Sequence, residues 1–274
     1  MKLSQISMAA LLSVAAVGAF AQTKAPEPDY TLSYNVSATT DYRYRGLSQS
    51  RLKPAVQGGL DFSHKNGFYL GAWASTIQWI KDDGKKGGVN TGSSNLEIDL
   101  YGGYKGSFNT DMSYDVGALQ YFYPSNKYKN LSGSSANTTE IYGAVTFGPV
   151  TAKYSHSVSN LFGFATPAGV KSKGSGYLDL TANFDLGNGW VVSPHIGHQK
   201  VKNFSDYSYT DYSVTVSKDL GNGFSVSGAV VGTDAGKDAT GTPWYATPDG
   251  AGFASPASKN NGRNGVVVAV KYNF

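Results

Sequence analysis

Acidic and basic side chains recur on one face of an alternating pattern. Asp41, Arg43 and Arg45 stand two residues apart, and in an extended chain that spacing sets all three on the same side. The same parity, followed through later alternating segments, adds Asp61, Glu97, Asp99, Asp115, Glu140, Asp179 and Asp211, opposed by Lys105, Lys153 and Lys271. Charged rings around a water-filled passage bias which ions and solutes cross it. The set therefore suits a pore, and its acidic excess predicts a mild preference for cations. Arg43 and Arg45 fall at the height of Glu97 and Asp99, so the four are expected to face one another across a constriction, and reversing the two arginines should then shift ion selectivity. The same residues also allow a second arrangement, in which ion pairs fill the passage as a plug.

Catalytic chemistry finds little support. Nucleophilic hydrolysis needs a hydroxyl beside a base that a third group orients. Of the four histidines, His64 falls in a turn, His156 and His198 take the apolar parity, and His195 takes the polar one. In Ser155-His156-Ser157 alternation turns both hydroxyls away from the imidazole. Parity also separates His195 from His198 as metal ligands. With no cysteine there is neither thiolate site nor disulfide. The chain reads as a non-enzyme without metal or cofactor.

The elements that position these charges are strands. From Tyr30 the residues Tyr30, Leu32, Tyr34, Val36, Ala38, Tyr42 and Tyr44 alternate with polar ones, and only Thr40 breaks the apolar face. Similar alternation predicts strands at 55–63, 68–79, 95–105, 112–123, 138–147, 150–159, 177–185, 190–201, 208–219, 224–234 and 265–274. Ile77 and Trp79 fall out of phase in the strand over 68–79. Short turns alternate with long polar loops, the asymmetry of outer-membrane barrels. Asp185-Leu186-Gly187-Asn188-Gly189 recurs as Asp219-Leu220-Gly221-Asn222-Gly223, and its Asn-Gly pairs supply the positive φ of a tight hairpin. The prediction is an all-β, transmembrane, antiparallel up-and-down β-barrel of about twelve strands over residues 30–274.

Composition agrees with a barrel and excludes other classes. Lys2 precedes an apolar run at residues 8–20, and Ala19-Phe20-Ala21 offers a cleavage site, so residues 1–21 read as a signal peptide and 22–29 as a periplasmic leader. The run is shorter than the roughly 20 residues of a spanning helix. A mean hydropathy of −0.29 is no objection to a membrane location, because only alternate barrel residues meet lipid. A net charge of +4 on a secreted chain gives no argument for nucleic acid. The 19 Tyr and 13 Phe suit strands and membrane interfaces. Phe62, Phe68, Tyr114, Phe147, Phe184, Trp190, Phe224, Tyr272 and Phe274 are expected in a girdle near the turns, and Tyr42, Tyr44, Phe122 and Tyr212 in one near the loops. Loop cations such as Arg51, Lys53, Lys85 and Lys86 would suit contact with lipopolysaccharide. The last loop, 235–264, carries Trp244, Tyr245 and Phe253, and could narrow the pore or serve recognition, as in an adhesin.

The final strand, ending Tyr272-Asn273-Phe274, resembles the closing strand through which outer-membrane barrels engage their assembly machinery. Asp41-Tyr42-Arg43-Tyr44-Arg45-Gly46, Ser48-Gln49-Ser50, Pro54-Ala55-Val56-Gln57-Gly58-Gly59, Gly67-Phe68-Tyr69-Leu70-Gly71-Ala72-Trp73-Ala74-Ser75 and Tyr121-Phe122-Tyr123-Pro124 together resemble the proteobacterial TorF family of porins. The likeness runs over nearly the whole mature chain and is most specific in the first third. It implies the cell outer membrane and a channel for passive diffusion of small hydrophilic solutes or ions. It carries no catalytic residue and no named substrate.

Overall fold

The computed structural model describes residues 28–247 and 259–274. The expected signal peptide, most of the leader and Phe253 lie outside the described residues.

Alternation along each segment produces a wall of strands: β1 (Tyr30–Thr39), β2 (Ala55–His64), β3 (Phe68–Thr76), β4 (Leu96–Ser107), β5 (Met112–Phe122), β6 (Thr138–Phe147), β7 (Val150–Ser157), β8 (Gly176–Ala182, resuming as Phe184–Gly187), β9 (Trp190–Lys200), β10 (Tyr209–Gly221), β11 (Phe224–Thr233) and β12 (Gly265–Asn273). Each pairs antiparallel with its neighbours in sequence. The ring closes where β1 meets β12, with Val36 opposite Tyr272 and Ala38 opposite Val270. Phe274 extends the seam, its amide donating to the Tyr34 carbonyl at 3.0 Å. Closure pairs the first strand with the last, as hydrocarbon requires of a spanning sheet.

The outer face is apolar. Val36, Leu60, Leu100, Val116, Ile141, Leu178, Ile196, Val214, Val230 and Val268 all point outward and are exposed. Near the turns the aromatic residues cluster, with Tyr104 stacked on Tyr114, and Tyr272 packed between Phe224 and Phe274. Asn188 and Asn222 adopt positive φ in the two repeated hairpins, as their sequence implies. Val214 sits mid-strand opposite Pro194 and Val230, so Val214→Lys should cost about 2–4 kcal/mol in lipid. Ser213→Lys, one residue away and lumen-facing, should cost much less. Urea unfolding of the barrel in bilayers measures both.

Two expectations change. The strand expected over 68–79 stops at Thr76, and a helix, α1 (Trp79–Lys86), follows. The out-of-phase Ile77 is fully buried beneath the loops, as is Ile80 in α1. The first strand stops at Thr39 rather than continuing through Arg45. The Thr40 amide donates to the Val268 carbonyl and its hydroxyl accepts from the Val268 amide, after which the chain leaves the wall. Residues 40–54 turn inward, carrying a small hairpin of Arg43–Tyr44 against Leu47–Ser48. Tyr42 and Tyr44 therefore belong to an interior cluster with Trp73, Tyr121 and Tyr123, and not to an aromatic girdle. Phe122 and Tyr212 do lie on the exposed outer face.

Candidate functional site

The inward hairpin is held by its own polar residues. Asp41 Oδ1 accepts from the hydroxyls of Ser48 at 2.5 Å and Ser50 at 3.1 Å, while Oδ2 pairs with Arg43 Nε at 2.5 Å. Arg43 Nη1 reaches the carbonyls of Gly46, Asn261 and Arg263. The guanidinium thus ties the hairpin to the base of the last loop. At the tip, Arg45 and Gly46 both take positive φ, at 45° and 76°, and this turn aims Arg45 across the lumen.

Arg45 forms a forked pair with Glu140 on β6, at 3.1 Å to Oε1 and 2.7 Å to Oε2. It also donates to Gln199 Oε1 on β9 at 2.6 Å. Its guanidinium lies 4.1 Å from the centre of the Tyr177 ring and 4.8 Å from that of Tyr44. Both charged side chains are almost wholly shielded, at 7% and 2% exposed. A bidentate pair in such a setting is strong and directional. It latches the loop to two well-separated strands of the wall.

Three further clusters line the interior. Glu97 accepts from the hydroxyls of Tyr42 at 2.5 Å and Tyr123 at 2.7 Å. The expected meeting of Arg43 and Arg45 with Glu97 and Asp99 is therefore replaced: phenols satisfy Glu97, and the arginines take Asp41 and Glu140. Buried Asp99 Oδ1 has no hydrogen-bond partner. His195 bridges Asp211, at 2.8 Å from Nε2, and Asp179, at 3.5 Å from Nδ1, while the Tyr177 hydroxyl donates to Asp211 Oδ2 at 2.9 Å. Closer to the turns, Tyr101 donates to Asp61 at 2.5 Å and Tyr69 to Asp115 at 2.6 Å. Lys153 stands 3.9 Å from the centre of the Tyr142 ring. Among the described residues no cluster of three or more His, Asp or Glu is arranged to hold a metal.

The hairpin separates two cavities. Below it, a space of about 540 Å³ is lined by Asp41, Arg43, Arg45, Gln57, Lys153, Asp179, His195, Asp211 and Ser213. Above it, a space of about 500 Å³ is walled by rings from the long loops, among them Trp79, Tyr128, Phe162, Phe164, Phe204, Tyr207, Trp244 and Tyr245. Tyr44 lines both. In the upper space the Asp83 carboxyl accepts from the Tyr128 hydroxyl at 2.7 Å. Burial pushes its pKa up to about 6, although the Tyr128 hydrogen bond and Lys86 oppose that rise.

The family described as "Bacterial protein of unknown function (Gcw_chp)" matches residues 23–251. The chain belongs to that family. This member of Gcw_chp has no match among curated proteins. Among solved structures it is similar to the KdgM porin, with a TM-score of 0.50 at 11% identity, covering 89% of this chain and 98% of that one. A second KdgM structure, titled as a complex with disordered oligogalacturonate, aligns equally well. The NanC porin aligns with a TM-score of 0.50 at 9% identity, covering 88% and 98%. The fold of this chain is thus similar to that of those porins, in agreement with its closed twelve-strand ring and apolar belt.

Of the residues read as pore-lining, Asp41, Arg43, Arg45, Lys153, Asp179 and Asp211 meet around one cavity. Glu140 joins them through Arg45, whereas Asp61 and Asp115 sit nearer the turns in separate tyrosine contacts. Parity had placed His195 inward without a role, and it missed Tyr177, Gln199 and Tyr121. A buried arginine paired with an acid needs neutral donors and acceptors close by, but sequence spacing does not say which strands supply them.

Proposed function

We propose that this member of Gcw_chp is a diffusion channel for small hydrophilic solutes or ions, narrowed by its own first loop and mildly selective for cations. The 540 Å³ polar cavity inside a closed barrel carries that reading. Arg43 and Arg45 are neutralised by Asp41 and Glu140, which leaves Asp61, Glu97, Asp99, Asp115, Asp179 and Asp211 against Lys105, Lys153, Lys271 and His195. The residual field is acidic and attracts cations. A polyanion such as oligogalacturonate is accordingly not the expected solute. The fold, the Asp41–Gly46 run and the matched family are compatible with a TorF-type porin. The reading also takes membrane lipid and lipopolysaccharide as surroundings, Tyr272 and Phe274 as the handle for barrel assembly, and no catalysis.

A second reading, a barrel closed at rest, is favoured by the shielding of Arg45 and Glu140. The two readings differ in how often the loop leaves the wall. A planar bilayer with a salt gradient tests the first: discrete conductance steps should appear, with a reversal potential on the cation side. A reversal potential on the anion side contradicts the selectivity. Folded barrels that never conduct, even after the latch is broken, contradict the channel.

A further inference from the structure

We propose that the cavity above the hairpin is a binding site for a small, uncharged aromatic solute. Its walls converge from five loops: Trp79 packs on Tyr128 at 5.5 Å between ring centres, Phe164 on Tyr207 at 4.8 Å, and Tyr207 on Trp244 at 5.0 Å. Aromatic side chains on loops facing water are costly to expose. Here they enclose about 500 Å³, within the range of small-molecule pockets.

The polar groups narrow the ligand class. Tyr128 is engaged with Asp83, Tyr44 with Tyr121, and Tyr245 with the Tyr207 carbonyl. The walls therefore offer ring surface more than hydroxyls, which suits an aromatic guest better than a sugar with many hydroxyls to satisfy. One acid and one base, Asp83 and Lys86, line the space, and Lys86 Nζ reaches the Trp244 carbonyl at 3.4 Å. The lining has no net charge with which to select an ion. The flat ring of a guest packs offset or edge-on among walls such as Trp79, Tyr207 and Trp244.

The site is independent of whether the barrel conducts, so its test is binding. Benzamide is titrated against the folded mature barrel in nanodiscs and followed by saturation-transfer NMR, beside cyclohexanecarboxamide, glucose and choline. Benzamide should bind saturably, and cyclohexanecarboxamide, which keeps the amide but lacks the aromatic ring, about fivefold more weakly. Trp79→Ala removes a ring from the wall and should weaken benzamide about fivefold. Tyr207→Ala opens the wall and should abolish saturable binding, with barrel integrity checked by circular dichroism. Benzamide binding that survives both substitutions unchanged would overturn the proposal, as would preferential binding of glucose or choline.

Discussion

Glu140→Gln should convert a narrowed barrel into one that opens readily. In the native protein the Glu140 carboxylate meets Arg45 in a forked pair, with both groups nearly excluded from solvent. Removing one partner of a buried pair leaves the other charge uncompensated, at a cost of about 3–5 kcal/mol. The barrel wall is held by its strand ladders and does not depend on this contact. The hairpin does, because Arg45 is its reach across the lumen. The cost is therefore relieved by releasing the loop, not by unfolding the wall. Single-channel recordings should show larger or more frequent openings than wild type, while the midpoint of barrel unfolding changes little. The double variant Arg45→Ala with Glu140→Ala should conduct as well, but without the penalty of a stranded charge. Wild-type conductance in Glu140→Gln would remove the latch from the account.

Gly46→Val should release the same loop by a different force. Gly46 has φ of 76°, and a Cβ built there would lie 2.5 Å from Thr233 Cγ2 and 2.7 Å from Asp211 Cβ. No rotamer relieves a clash at Cβ, and left-handed backbone costs a non-glycine residue about 1–2 kcal/mol before the clash is counted. The hairpin must move away from β10 and β11. Because Asp211 also holds His195 and Tyr177, the displacement should loosen the lower cavity too. Gly46→Val should raise conductance, with Gly46→Ala changing it in the same direction by less. If Gly46→Val conducts like wild type while Glu140→Gln opens, the close packing at Gly46 plays no part in seating the loop.

The wall was legible because lipid and water impose parity on every strand. Val266, Val268 and Val270 could be placed outward from their spacing alone, and the Asn-Gly turns marked the short connections. The first loop was not legible for the same reason. Alternation through Tyr42 and Tyr44 continues after the chain has left the sheet, since parity reports which side a residue takes and not whether the strand still has a neighbour. Gly46, followed by Ser48 and Ser50, was the local sign of a turn. The Arg45 partners, Glu140 and Gln199, become neighbours only once the barrel has closed, because β6 and β9 are not adjacent. Helix α1 was hidden by a short, polar loop sequence. Its signal was the break in alternation at Ile77 and Trp79, where a strand would have kept its phase.

The chain contains no cysteine, so one introduced thiol reports on a single place. Ser213 lines the lower cavity beneath the hairpin. The most direct test of the central claim, that residues 40–54 separate the outside from the lumen, is the rate at which a bulky, membrane-impermeant thiol reagent added outside intact cells modifies Ser213→Cys. Modification should be slow when the latch is intact and rapid when Glu140→Gln is added to the same chain. Equal rates in the two backgrounds would show that the loop does not close the passage.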